Sequence, residues 1–328
     1  MTDAITDESD HRQTQVPESL AGARFDQALA QLFPDVSRTA AKDDIEHGRA
    51  LLNGAVVKPR TRVEAGDLID LEHDETPAIA WLPQRTAFEI VYEDPMIAII
   101  NKPAGLVTHP GAGNPDQTLV NGLLHWDPAL SQLPRGGLIH RLDKDTSGLL
   151  VIARNALALR VLTEEMQARE IHREYEAVVN GAMIAGGTVD APVGRDRNHR
   201  TRMAVTGAGR DAITHYRIKE RFRAHTWLNV MLETGRTHQI RVHMAHIGHP
   251  LVGDATYGGR VRLPPAPHPD LVSAVQGFRR QALHAARLEL AHPETGESIS
   301  FESPLPDDFL ALTNALRVDR ETAGGGRQ

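Results

Sequence analysis

Apolar positions along the chain follow two different periods. Phe25, Ala28, Leu29, Leu32 and Phe33 recur at i, i+3, i+4, i+7 and i+8, one stripe of an amphipathic helix. Pro34 ends that stripe, Ser37 is placed to cap a second helix, and Gly48 suits its C-terminal end. Asn53-Gly54 between Ala50-Leu51-Leu52 and Ala55-Val56-Val57 is the favoured two-residue hairpin turn. Gly66-Asp67 marks another turn before a short strand at 68–71. Residues 17–76 thus predict a small α+β module, near the lower size limit for folding alone. Residues 1–16 are polar, charged and aperiodic, and predict a disordered tail. Residues 77–86 read as a linker.

From residue 87 the period shortens. Runs at 88–92, 96–100 and 149–153 are strand-like, as are 173–181, 211–221, 226–233 and 284–291. Helices are expected over 155–169, with Leu159, Leu162 and Met166 on one face, and over 236–247, ending at Gly248. Strands with inserted helices over 87–318 predict an α+β domain on a mixed, mainly antiparallel sheet. Residues 319–328, with Gly324-Gly325-Gly326, predict a flexible tail.

Composition narrows the chemistry. The absence of cysteine removes disulfides, thiolate metal sites and cysteine nucleophiles together. No apolar run approaches the roughly 18 residues of a membrane span, and the polar N-terminus lacks a signal-peptide core, so a cytoplasmic protein is expected. The net charge of −7 argues against a nucleic-acid partner, but its distribution does not. Residues 195–223 carry nine basic side chains, Arg195, Arg197, Arg200 and Arg202 among them, against three acidic ones. Such a segment can follow a phosphate backbone; a solvated loop and strand face would look the same.

The densest chemistry lies in Gly137-Leu138-Ile139-His140-Arg141-Leu142-Asp143-Lys144-Asp145-Thr146-Ser147-Gly148, a polar turn between apolar flanks. Asp143 is the carboxylate nearest the strand end, where rigid structure can position it; Asp145 suits the turn itself. His243 and His246, three apart in a His-rich helix, raise the alternative of a metal site, yet no His-Glu-x-x-His pattern or neighbouring ligand carboxylate accompanies them.

His140 to Gly148 resembles the signature of the RluA-type family of rRNA and tRNA pseudouridine synthases, whose Asp is catalytic. Arg173-Glu174-Tyr175-Glu176-Ala177 resembles the family segment with the active-site tyrosine. The segment from Leu232 to His243 resembles the one whose arginine pairs with the aspartate, which falls on Arg241. Residues 17–76 are similar to an S4 RNA-binding domain through Arg24-Phe25-Asp26, Ser37-Arg38 and Val56. Asn101-Lys102-Pro103, the run from His109 to Asp116, and Pro250 to Asp254 are closest to the D branch of large-subunit (23S) rRNA pseudouridine synthases. The second S4-like helix, Ala41-Lys42-Asp43-Asp44, is more acidic than an RNA-contacting helix is expected to be.

The resemblance implies an isomerase that moves uracil from its N1 to its C5 glycosidic linkage in 23S rRNA, in the helix 69 stem-loop. It implies a role in large-subunit maturation, no cofactor, no metal, no membrane, and a monomer. Asp143, Tyr175 and Arg241 are then catalytic, with Arg241 favouring and orienting the charged carboxylate and Tyr175 packing on the uracil. His140, Arg141, Arg38, Lys42, Arg195, Arg197, Arg200 and Arg202 are expected to bind RNA, with Arg141 filling the space of a flipped-out base. The carboxylate can attack ribose C1′ or uracil C6, or a glycal can form by elimination; the residues do not choose among these. The competing readings are an RNA-binding protein without catalysis and a metal-dependent hydrolase on the His-rich helix.

Overall fold

The computed structural model describes residues 10–33, 36, 38–73, 81–111, 113–199 and 202–325. Contacts divide the chain between residues 80 and 81 into two units.

The first unit contains β1 (Asp10–Gln15), α1 (Phe25–Leu32), α2 (Arg38–Glu46), β2 (Ala50–Leu52) and β3 (Leu68–His73). The strands form an antiparallel sheet in the order β1-β3-β2. The helical stripe closes onto it: Phe25, Ala28 and Leu29 pack with Ile45, Ile69 and Leu71, all fully buried. Each large side chain so buried contributes about 1.5–3 kcal/mol.

Two expectations fail in this unit. The tail expected at 1–16 is not one throughout, because β1 pairs with all of β3, Asp10 opposite His73 to Gln15 opposite Leu68. The Asn53-Gly54 turn forms, with φ of 51° and 74°, and Leu52 and Ala55 exchange backbone hydrogen bonds of 3.0 Å. Its second arm, however, does not continue as a strand. Val56 is 65% exposed, and Pro59 has no N–H to give a ladder. β2 pairs with β3 instead, and Asn53 sets that register by accepting from the Leu68 N–H and donating to Asp67.

The second unit runs β4 (Glu89–Glu93), β5 (Ile97–Lys102), α3 (Leu119–Trp126), β6 (Ser147–Ala153), α4 (Ala156–Ala168), β7 (His172–Asn180), β8 (Gly187–Asp190), β9 (Val193–Arg195), β10 (Met203–Val205), β11 (Ile213–Arg221), β12 (His225–Leu232), α5 (Gln239–His246), α6 (Pro269–Gly277), β13 (Leu283–Ala291), β14 (Ser298–Glu302) and α7 (Asp307–Gly325). Among the described residues nine strands form one sheet, β4-β5-β6-β13-β7-β12-β11-β8, with β14 beside β13; β9 and β10 make a separate hairpin. Every pairing in the sheet is antiparallel except β6 with β13. The fold is therefore α+β on a mixed, mainly antiparallel sheet, as the two periods predict.

Alternation along β6 explains its continuous apolar run. Leu150 and Ile152 enter one core cluster, Leu149, Val151 and Ala153 another, one on each face of the sheet. Gly148 begins this strand at φ +114°, and a Cβ there would stand 2.2 Å from the Ala285 carbonyl, so only glycine lets β13 approach.

The C-terminal tail expected from 319 is instead the last part of α7. Phe309, Leu312 and Leu316 are buried with Trp227 and Phe278. Asp319 is buried as well, accepting from the His268 N–H at 2.7 Å and from Arg223 at 3.0 Å. The glycines misled the reading because polar anchors, not apolar period, hold this end. No helix among the described residues is long and apolar enough to cross a membrane.

Candidate active site

The polar turn before β6 is gripped from below. Lys102 at the end of β5 is fully buried, and its Nζ donates to the carbonyls of Pro103 (2.8 Å), Leu106 (2.8 Å) and Lys144 (3.0 Å). Burial pushes this ammonium down to about 7, opposed by the charges of Asp145 and Asp143. Three carbonyl acceptors engage three N–H donors, a set that only the protonated amine has. Thr108 donates to the Leu142 carbonyl at 2.6 Å, and the Asp143 carbonyl accepts from Thr146 N–H at 3.1 Å. Leu142 is buried while the Asp143 side chain beside it keeps 15% exposure, so these contacts anchor the turn and leave its carboxylate accessible.

Arg241 reaches it from α5. Nη1 donates to Asp143 Oδ2 at 3.0 Å, while Nε and Nη2 hold Asp254 Oδ2 and Oδ1 at 2.7 and 2.9 Å. Asp254 is buried and also accepts from the N–H groups of Thr256 (2.8 Å) and Tyr257 (3.0 Å). Burial pushes the Asp254 carboxyl up, but the hydrogen bonds and charge of Arg241 outweigh it, so its pKa lies below the usual carboxylate value. The two carboxylates push the Arg241 pKa up in turn. Asp143 is the more exposed of the pair, at 15% against 0% for the Asp254 side chain, so Asp143 faces the cavity and Asp254 braces the arginine behind it.

The start of α5 is fixed by Gln239. Its Oε1 accepts from Thr234 (2.8 Å) and the Arg236 N–H (2.9 Å), and its Nε2 donates to Ile213 O and Thr214 Oγ1, both 3.0 Å. His238, just before the helix at φ +57°, lies with Nε2 3.9 Å from Asp143 Oδ1. Burial lowers its pKa, opposed by the charge of Asp143. Tyr257 Oη accepts the Met203 N–H (2.9 Å) and shares a hydrogen bond of 2.9 Å with His238 Nδ1, which fixes the ring with Nε2 toward Asp143.

Tyr175 lies on β7, buried at 4% exposure, in the wall of the same cavity as Asp143 and Arg241. Burial pushes its hydroxyl pKa up, Arg173 opposing and Asp143 adding to the rise, so it is a neutral phenol. The cavity holds about 520 Å³, within the range of small-ligand sites. The three residues expected to be catalytic are thus brought together from three distant segments. A carboxylate anchored this way can attack an electrophilic carbon or take a proton, and the aromatic ring gives a planar ligand a face to lie on.

The residues expected to bind RNA separate. Arg141 is exposed and lines the cavity. His140 lines it too, but burial and the nearby charge of Arg173 push its pKa down to about 3, so it offers no charge to a phosphate. Arg195, Arg197 and Arg202 are exposed on the β9–β10 hairpin, outside the cavity lining, and Arg200 lies outside the described residues. The hairpin adjoins the site through Met203, Val205 and Tyr257. In the first unit Arg38 begins α2, where its side chain is not described, and Lys42 pairs with Glu46 at 3.3 Å on an exposed face. His243 bonds Thr214 through Nδ1 and the Ala191 carbonyl through Nε2, both 2.9 Å, which makes it a core residue. Among the described residues no three His, Asp or Glu side chains converge as metal ligands.

Sequence reasoning assigned no role to Asp254, His238, Tyr257 or Lys102. Asp254 and Lys102 stood in quoted segments, Pro250 to Asp254 and Asn101-Lys102-Pro103, and a charged residue inside an apolar run was the available signal. His238 stood in the segment from Leu232 to His243 without a role of its own, and Tyr257 lay outside every quoted segment.

Fold and site together define an enzyme whose cavity presents the Asp143 carboxylate held by Arg241. Residues 96–246 match the family of RNA pseudouridylate synthases, and residues 23–69 match the S4 domain. The chain is 51% identical over 316 residues to "Ribosomal large subunit pseudouridine synthase D" of Xanthomonas campestris, covering 96% of each chain. It is 52% identical over 314 residues to the protein of that name from Pseudomonas aeruginosa, covering 96% of this chain and 98% of the other. The Escherichia coli protein of that name is 51% identical over 307 residues, covering 93% and 94%. Among solved structures, human RNA Pseudouridylate Synthase Domain Containing 1 superposes with a TM-score of 0.52 at 25% identity, covering 71% of this chain and 87% of that one. The chain belongs to the RNA pseudouridylate synthase family. As a pseudouridine synthase with an S4 domain, it isomerises uridine in RNA.

Proposed function

We propose that the substrate is 23S ribosomal RNA, at uridines of the helix 69 stem-loop, and that Asp143 is the nucleophile. The reading rests on the Arg241–Asp143 ion pair set in the cavity wall that also carries Tyr175. The large-subunit relatives named above supply the substrate class. A stem-loop suits the site because its unpaired bases are cheap to extrude, at a cost of about a few kcal/mol.

In the reaction the C1′–N1 bond breaks, the uracil turns, and C5 bonds to C1′. The C5 proton leaves and N1 gains one, so the change is redox-neutral and needs no external reagent. Asp143 attacks C1′ or C6, or abstracts the C2′ proton on a glycal route. Arg241, braced by Asp254, keeps the carboxylate aimed. Tyr175 supports the uracil face, Arg141 occupies the space of the flipped nucleotide, and the β9–β10 arginines and the S4 domain follow the backbone. The enzyme acts as a monomer in the cytoplasm during large-subunit maturation.

Asp143→Asn tests the chemistry: turnover should vanish while RNA binding holds, and full activity in that variant ends the assignment. Mapping pseudouridines in rRNA of cells with and without the gene tests the substrate. Loss confined to tRNA or to another rRNA helix ends the helix 69 assignment and leaves the chemistry standing.

A further inference from the structure

Among the described residues Arg173 is a buried charge of the cavity wall for which the protein supplies no partner. It is 7% exposed, and among the described residues its side chain makes no hydrogen bond and no ion pair; its Nε is buried without a partner. Burying a guanidinium unpaired is costly, and native interiors avoid it. The carboxylates that share the cavity are engaged elsewhere: Asp143 with Arg241, and Glu233 with Arg169 and His215. The neighbouring His140 is neutral, so it neither neutralises Arg173 nor replaces it. Room for the guanidinium is kept by Gly235, where a Cβ would come within 2.8 Å of Arg173 Nη1.

Position decides what this cation meets. Arg173 and Tyr175 stand two apart on β7, so they share one face of the sheet, about 7 Å apart along the strand. A uracil lying on Tyr175 presents its edge within reach of a long side chain one repeat away. Phosphates stay at the rim of an RNA site, where the exposed Arg135 and Arg141 already stand; a buried cation meets the base.

We propose that Arg173 is a catalytic residue whose guanidinium donates to a carbonyl oxygen of the target uracil and stabilises the negative charge the ring carries during isomerisation. The proposal rests on the cavity being the uridine site. It is independent of route. Displacement at C1′ and elimination to a glycal both break the C1′–N1 bond and leave the electron pair on uracil, spread over N1, O2, C5 and O4. Attack at C6 puts the pair on C5 and O4. O4 therefore bears charge in every case, and the same delocalisation makes C5 nucleophilic for the new bond to C1′. A preorganised donor at such an oxygen is a large term in catalysis.

The test is single-turnover release of tritium from a large-subunit rRNA transcript labelled at uridine C5, with RNA affinity measured in parallel. Arg173→Met should slow the chemical step about 100- to 1,000-fold with RNA affinity little changed. Arg173→Lys should recover part of the rate, and methylguanidinium added to Arg173→Ala should recover part as well. Gly235→Ala, which retains the charge but displaces it, should slow the step without weakening binding. A wild-type rate in Arg173→Met, or in Gly235→Ala if the first variant does not fold, overturns the proposal. So does a loss confined to affinity with the salt slope lowered by about one, the mark of a phosphate contact. An active Asp143→Asn would instead sink the nucleophile assignment, whatever Arg173 does.

Discussion

Arg241 holds Asp254 with two N–H groups and Asp143 with a third, so one guanidinium ties a buried carboxylate to a cavity-facing one. The buried partner sets the direction of the arginine, and the arginine sets that of the exposed partner.

Replacing the brace should therefore harm both stability and rate. Asp254→Ala leaves a buried guanidinium half-paired and should cost about 3–5 kcal/mol in urea unfolding. Asp254→Asn keeps the shape and frees Arg241 to shift; the chemical step should fall on the order of 100-fold. An unchanged rate in Asp254→Asn would show that Asp143 does not need the brace.

Asp254 also predicts an acid limb. Its folded pKa is lower than its unfolded one, so its stabilising contribution is complete above the unfolded carboxylate value of about 4 and is lost as pH falls through the lower folded value. Unfolding free energies of wild type and Asp254→Asn, measured from pH 6 downward, should converge below about pH 4. Parallel curves would place the acid sensitivity elsewhere.

Lys102 clamps three carbonyls under the Asp143 turn. Lys102→Met should orphan them, costing at least about 1–3 kcal/mol. Because the clamped Lys144 carbonyl adjoins Asp143, whereas Arg141 on the same turn is not clamped directly, kcat should drop more than KM rises. A change in KM alone would contradict the clamp.

Cutting the chain after Val318 removes Asp319, which caps the approach to α6 and pairs with Arg223. Stability should fall by about 1–3 kcal/mol, read as a drop of several degrees in Tm. A free tail would leave Tm unchanged.

The sheet was legible because its strands are short runs rich in apolar and β-branched residues set between turn residues; β5, β6, β7, β11, β12 and β13 fall within a few residues of where the pattern puts them. Helix α1 was legible through its apolar stripe at a period of about 3.6. Less visible were elements held by polar contacts. β1 has no apolar alternation and exists because β3 needs an edge partner. α3 starts at a capping box between Thr118 and Asn121, where the usual acidic or Gln signal is absent. In the site, Asp143, Tyr175 and Arg241 stood out through motif resemblance, whereas Asp254 acquires meaning only through Arg241, 13 residues away, and His238 only through Asp143, 95 residues away, contacts that spacing alone cannot reveal.

Ala285 lies beside Gly148 on one side and beside Tyr175 on the other. The strand that seals the two halves of the site is thus among the last to be synthesised. A nascent chain that has not reached residue 285 holds Gly148, next to the Asp143 turn, and Tyr175 on unjoined edges. However well the earlier hairpins have formed, the two sides of the cavity wall are joined only when this late strand pairs with both.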